Sequence, residues 1–479
     1  MILAGCALLA AVPLAAWWLS LDDAQQAVEE ASSASNETPN AAEFGPPEPS
    51  PSDAAAAAQP FGLPAFDNSG PLRYDTEYPN SDYAGTALTG RLARLQSALD
   101  SGSVTLDVSS DQAFLRELLD ALEIDLSSQA LVFSKTSLQV DGVTPQTPRA
   151  LYFNDDTYVA YVGGGASFEI ASIDPILGPV FHTIARNGST GGRLNRETNR
   201  CLRCHDSLSL TGGGVPRLLT GSGYIGTDGE LVSHEAWILM RPWTPMKSRW
   251  GGWYVTGNHG DQVHLGNVVV QDISELNDVE AIRVGNRETV DGLMDASGYP
   301  TPYSDIIALL VLQHQLQAHN DIARLNWDLL KLTGVGWSAL EQALEGIPSD
   351  EVDAVIYMQG EPLIETLVMA FDTLFTAPVS GSSGYTEWFE TQGVTDADGR
   401  SLRELDLQTR LFRYPLSYTI YSEAFAALPE RARRYIYDRV IEELSGGGRL
   451  ELAARYPESA RTAAIEILRE TLPDLADDR

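Results

Sequence analysis

The sequence predicts an α+β protein, with a β-rich region in the middle of the chain followed by a mostly helical C-terminal region. Three observations predict it. Between 129 and 270 the apolar residues come in short aromatic and β-branched runs separated by turn residues, the texture of strands. From 303 onward apolar residues recur at helical spacing over longer stretches. Ahead of both lie an apolar N-terminus and a stretch with no hydrophobic period.

Residues 2–21 are uncharged and almost wholly apolar. A helix of that length spans about 30 Å, the thickness of a bilayer core. Trp17 and Trp18 stand near its end, where an interfacial aromatic belt would place them, and Asp22, Asp23, Glu29 and Glu30 follow. The pattern predicts a membrane anchor oriented N-in, C-out, with a cleaved export signal as the alternative. Leu3-Ala4-Gly5-Cys6 is like a lipobox, but it precedes the apolar run, so lipidation is not expected. Each reading puts the rest of the chain outside the cytoplasm, on the periplasmic side of an inner membrane. Residues 22–66 are rich in Ala, Pro, Ser, Asn and Glu and read as a disordered linker.

Residues 88–100 and 110–124 read as short amphipathic helices, the second with Leu115, Leu118, Leu119 and Leu122 at helical spacing. Strands are expected at 130–133, 149–153, 158–162 and 168–170, with turns at Asn154–Asp156 and Gly163–Gly165. Further strand-like pieces are 237–240, 253–255 and 268–270. Residues 305–332 read as one long helix; 337–345, 350–375, 401–412, 416–427, 430–444 and 460–472 are further helices. The chain therefore divides into 1–21, 22–66, a mixed region 67–302 and a helical region 303–479, without internal repeats.

The net charge is −34, and only Lys135, Lys247 and Lys331 are lysine. Such a charge repels nucleic-acid phosphates and anionic membrane surfaces and steers toward basic partners. A general solubility trait would give the same composition. Three cysteines (Cys6, Cys201 and Cys204) are too few for a disulfide framework.

Two of them stand in Asn199-Arg-Cys201-Leu-Arg-Cys204-His205-Asp206. Covalent haem attachment needs two thiols one helical turn apart, to meet the two vinyl groups, and a histidine next to them for the iron. C-x-x-C-H meets both needs in five residues. It also requires an exported chain, which the N-terminus predicts independently. A zinc half-site would want a second Cys or His pair at defined spacing. A dithiol redox pair would start a helix in a βαβ context. The expected cofactor is one covalent haem c, bound by Cys201 and Cys204 with His205 as proximal iron ligand, and 67–302 becomes a β-rich haem c region.

The chain resembles the bacterial cytochrome c domain-containing proteins that carry one C-x-x-C-H inside a large extra-cytoplasmic chain. The stretches that carry the resemblance are Leu131–Gln139, Thr147–Val162, Asp174–Phe181, Cys201–His205, Trp250–Asn267, Leu312–Asn320 and Gly399–Phe425. They lie between about residues 130 and 440. The resemblance implies haem binding and electron transfer, and no substrate. It also implies Met where Leu265 stands and Tyr where His182 stands, departures that argue against a ligand role at either position.

A six-coordinate electron-transfer haem needs a distal His or Met, whereas an open position suits ligand binding or peroxide chemistry. His264 and His259 lie among Trp250, Trp253 and Tyr254, and His314 lies on the long helix; these three are the distal candidates, with Met240, Met246 or an open site as alternatives. Ala318–Ala323 is locally similar to the proximal-helix segment of animal-type haem peroxidases, and Arg324 follows His319 closely. Glu230, Glu235 and Asp261 are available acid or base groups. No catalytic nucleophile motif is present, and Gly212–Gly214 is not a phosphate loop. The functional expectation is an electron-transfer cytochrome meeting a basic redox partner. The alternatives are a haem oxidoreductase such as a peroxidase, or a haem-bearing sensor.

Overall fold

Alternation along short aromatic and β-branched runs sets up the sheet that carries the site. The computed structural model describes residues 81–136, 139–186, 192–233 and 237–472. The anchor expected over 2–21, the linker over 22–66 and Glu235 lie outside them. Among the described residues no helix is long and apolar enough to cross a membrane.

Six strands form an antiparallel sheet in sequence order. They are β1 (Ala130–Val132), β2 (Arg149–Phe153), β3 (Thr157–Tyr161), β4 (Phe168–Asp174), β5 (Gly178–Ile184) and β6 (Leu194–Arg196). Successive side chains of a strand point to opposite faces, and here each face joins a different core. One face sends Tyr152, Val159, Tyr161 and Ile170 against Phe114, Leu115, Leu118 and Leu119. Those four are the buried stripe of α2 (Asp111–Ala121), which lies beside α1 (Arg91–Asp100). The opposite face sends Phe153, Tyr158 and Phe181 into the larger core, shared with the helical region.

That core is organised by α5 (Ile306–Thr333), after two single-turn helices, α3 (Leu202–His205) and α4 (Leu208–Thr211). At 28 residues α5 is about 42 Å long, and it is buried on nearly every side. It packs on β5 and on α7 (Ser349–Leu367), which follows the short α6 (Leu340–Glu345). The approach to the sheet is close: a side chain on Gly178, at φ +71°, would stand 2.7 Å from the Ala323 methyl carbon. Then come α8 (Tyr385–Glu390), α9 (Glu423–Ala426), α10 (Glu430–Ser445) and α11 (Glu458–Thr471). One continuous core runs from Tyr83 to Leu468, so the change of texture near 302 does not divide the described residues into two bodies.

Four expectations are corrected. Residues 401–412 are not a helix. Their main chain turns back on itself through a Leu405–Phe412 bridge, and Arg403 is drawn out of any helical path by the Asp155 carboxylate and the Phe389 and Tyr418 rings. Residues 416–427 form a short 3-10 turn and the four-residue α9 instead of one helix. The helix expected over 350–375 stops at Leu367, and Met369 is left-handed at φ 53°. Of the strand-like pieces beyond the motif, only Ile238–Leu239 pairs as a strand, with Gly221–Ser222. Trp253 makes a single bridge to Val132, and Val270 one to Gly226. There the chain is bent by Trp250 (φ 65°) and Gly252 (φ 87°), so it touches the β1 edge without running along it.

Asp305 caps α5 and fastens its start. One carboxylate oxygen accepts the amides of Ile307 and Ala308, at 2.7 and 3.2 Å. The other accepts those of Ser382 and Ser383, at 2.6 and 2.8 Å. Asp305 is fully buried, so removing it orphans donors that water cannot reach. Asp305→Ala is expected to cost about 2–4 kcal/mol, measured by denaturant unfolding. A change under about 0.5 kcal/mol, the size of an ordinary surface substitution, would refute the anchoring role.

Candidate functional site: a cleft at Cys201–His205

The motif folds as one helical turn. The amides of Cys204 and His205 both donate to the Cys201 carbonyl, which puts both sulfurs and the imidazole on the same short turn. All three residues line a partly open cavity of about 210 Å³ between the sheet, α3 and α5. Its apolar wall includes Leu151, Ala160, Phe181, Trp253, Leu312 and Leu316. The enclosed part falls short of the roughly 300–1,000 Å³ of drug-sized ligand sites, so a porphyrin would sit with one edge in solvent.

His205 is held on several sides. Its Nδ1 lies 2.7 Å from the Arg217 carbonyl oxygen, and its own carbonyl accepts the Arg217 amide at 2.8 Å. The ring packs on Phe181 at 4.4 Å between centroids. A carbonyl only accepts, so Nδ1 carries the hydrogen and Nε2 keeps its lone pair. Among the described residues the ring makes no other hydrogen bond. Burial pulls the His205 pKa down to about 4, so the ring is neutral at pH 7. A neutral imidazole whose Nδ1–H is fixed by a carbonyl has the form that ligates a metal.

Burial pushes Cys201 up to about 12 and raises Cys204 as well. A thioether carries no charge and loses nothing by such burial. Among the described residues no group of three or more His, Cys, Asp or Glu side chains stands ready to hold a metal. The residues present fit a covalent haem. Polar wall groups are few: Arg149 pairs with Glu169 at 3.4 Å, and Arg200 pairs with Glu197.

The distal candidates stand elsewhere. His264, His259 and His314 are all buried, and none lines the cavity. His264 packs edge-on against Trp250 and His259, and its Nδ1 accepts the Gly266 amide. Among the described residues neither ring nitrogen of His259 has a hydrogen-bond partner. His314 rides on α5 beside the cavity but turns away, its Nε2 2.7 Å from Ser417 Oγ and its Nδ1 3.4 Å from the Asp372 carboxylate. Met240 is also committed, its sulfur accepting from the Trp250 amide and the Gln313 side chain. His182 borders the cavity, but it alternates with Phe181 and so sends its ring to the opposite face of β5. There it lines a second hollow with Leu92, Gln96 and Arg196.

The remaining predicted groups serve structure. Glu230 pairs with Lys135, Arg324 reaches the Gly213 carbonyl and Asp328, and Asp261 is exposed. His319 holds the Asp155 carbonyl at 2.7 Å. Sequence reasoning missed Arg217 and Asn320. Arg217 acts through a backbone carbonyl, which every residue type has. Asn320 reaches the site only because α5 folds back across 218.

No protein-family model, curated protein or solved structure matches this chain.

Proposed function

We propose that the chain is an extra-cytoplasmic c-type cytochrome that holds one covalent haem through Cys201 and Cys204, with His205 as iron ligand, and passes electrons. The observation that carries this reading is His205 itself, neutral, fixed at Nδ1 and set beside two uncharged thiols on one cavity wall. Bound there, haem c supplies one-electron exchange between ferric and ferrous iron. The chain's own residues would hold and orient it: the Cys201 and Cys204 thiols would add across the two vinyl groups, the Arg217 carbonyl fixes the imidazole, and Phe181, Leu312 and Leu316 would keep water from that side.

A haem-dependent oxidoreductase or ligand-binding module is the second reading. One observation favours it: among the described residues the cavity lining holds no methionine and, besides His205, only His182, whose place next to Phe181 on β5 sends its ring to the opposite face of the sheet. Steady-state assay with hydrogen peroxide and a reduced dye separates the two. The carrier reading expects turnover no higher than that of free haem, and a clear excess overturns it.

The partner follows from charge at two ranges. The whole chain carries −34, but residues 193–217 around the motif hold five arginines against two carboxylates. At low salt the total field acts over distance, whereas at 0.1 M screening limits it to about 10 Å and the local arginines take over. Reduction by a basic cytochrome, followed by stopped flow, is expected to be fastest at low salt and to slow steeply as salt approaches 0.1 M. A rate independent of salt would remove the case for a basic partner.

A further inference from the structure

We propose that Asn320 is a positioning residue for His205, acting through the single peptide group that joins Arg217 to Leu218. The inference rests on the haem reading above and deepens it. The Arg217 carbonyl and the Leu218 amide belong to one planar unit, rigid because of its partial double bond. His205 Nδ1 lies 2.7 Å from the oxygen at one end. At the other end the Leu218 N–H donates to Asn320 Oδ1 at 2.8 Å. Asn320 Nδ2 then returns a hydrogen bond to the Leu218 carbonyl, also at 2.8 Å. The carboxamide thus grips Leu218 at both of its polar atoms, and Asn320 is only 4% exposed, so water does not compete.

Geometry and electronics act together here. Holding the amide end fixes the plane of the peptide, and so the direction in which its carbonyl meets the imidazole. Accepting from the amide also polarises the peptide and puts more negative charge on the Arg217 oxygen, because hydrogen bonds in series strengthen one another. A stronger acceptor at Nδ1–H makes the imidazole a more basic ligand, which favours ferric over ferrous iron. The placement is no accident of one contact. Leu312, Leu316 and Asn320 recur every four residues, on one face of α5. The first two line the cavity, and the third grips the segment behind the ligand.

The test compares Asn320→Leu with Asn320→Asp in the full chain, haem attached. Leucine keeps the bulk and loses both hydrogen bonds. Aspartate keeps the acceptor for the Leu218 amide and loses the donor. The readouts are the midpoint potential and the iron–histidine stretching frequency of the ferrous protein. Asn320→Leu is expected to raise the potential and lower the frequency. Asn320→Asp is expected to do neither. If the leucine variant yields no haem protein, Asn320→Ala takes its place with the same expectation. Equal shifts in both variants would reduce Asn320 to a structural clamp, and no shift in either would remove it from the site; both results overturn the proposal. Denatured-gel haem staining of the wild-type chain runs alongside. Its absence would mean that the haem reading itself fails, a result distinct from stained variants with unaltered potentials.

Discussion

Joint replacement of Cys201 and Cys204 by serine abolishes haem staining of the denatured chain, and acid-acetone then strips all colour from the preparation. The expectation is a complete loss, because no other cysteine lies in the described part of the chain, and a serine hydroxyl forms no thioether. Noncovalent haem could still enter the cavity in the variant, since Phe181, Leu312 and Leu316 remain on its wall and His205 keeps its bond to Arg217. That retained ligand makes the experiment specific. A coloured native variant that bleaches on denaturation separates attachment from binding. Single replacements leave one thioether and are expected to stain weakly. Undiminished staining in the double variant, or a wild-type chain that never stains, would end the haem c assignment. The rival chemistries predict otherwise: a zinc or dithiol site would release metal or lose thiol reactivity in the variant, with no colour in either protein.

The motif was legible because its chemistry is local, five residues whose geometry follows from one helical turn. The sheet was legible for a related reason. Residues 149–153, 158–162 and 168–170 alternate between two buried faces, and each run lies on or next to an observed strand. The long helix was read over 305–332 and spans Ile306–Thr333, since its Asp305 cap and Gly334 stop are strong local signals. What failed was decided by tertiary contacts. Residues 401–412 have helix-forming composition, but Arg403 stacking on Phe389 and Tyr418 outweighs a preference of a few tenths of a kcal/mol per residue. Residues 253–255 look like a strand and meet β1 at one bridge, because the left-handed backbone at Trp250 and Gly252 re-aims the chain. In the site, the aromatic setting of His264 and His259 is real, yet Trp250 packs on His264 inside the larger core and neither lines the cleft.

The ferric protein is expected to bind cyanide with a full shift of its absorption spectrum, and single changes at His259, His264 and His314 are expected to leave the unliganded spectrum unaltered. The cavity wall argues for this result. Apart from the motif itself, the polar groups that line it are hydroxyls, tryptophans and the side chains of Arg149, Glu169 and Arg200, none of which is a customary low-spin partner of a histidine-ligated haem, and His182, whose ring alternates to the opposite face of β5. The three histidines would have to abandon buried positions to reach the iron. His314 would give up Ser417 and Asp372. His264 would leave its packing on Trp250 and the amide of Gly266. Burial also holds the His264 pKa down at about 3, so a neutral ring is available there at any ordinary pH, and protonation is not what keeps it from the iron; distance and packing are. Each move would leave a cavity or an orphaned polar group, at a cost of about 1–3 kcal/mol for the polar term alone. The changes His259→Ala, His264→Ala and His314→Ala are therefore expected to lower stability while the ferric spectrum and the cyanide titration stay as in the wild type. If one of them converts a low-spin spectrum to a high-spin one, that histidine closes the sixth position and the carrier reading gains its missing ligand. If cyanide binds and none does, the iron is open on the cavity side, and access of small oxidants past Trp253 and Leu151 becomes the property that divides a carrier from an oxidoreductase.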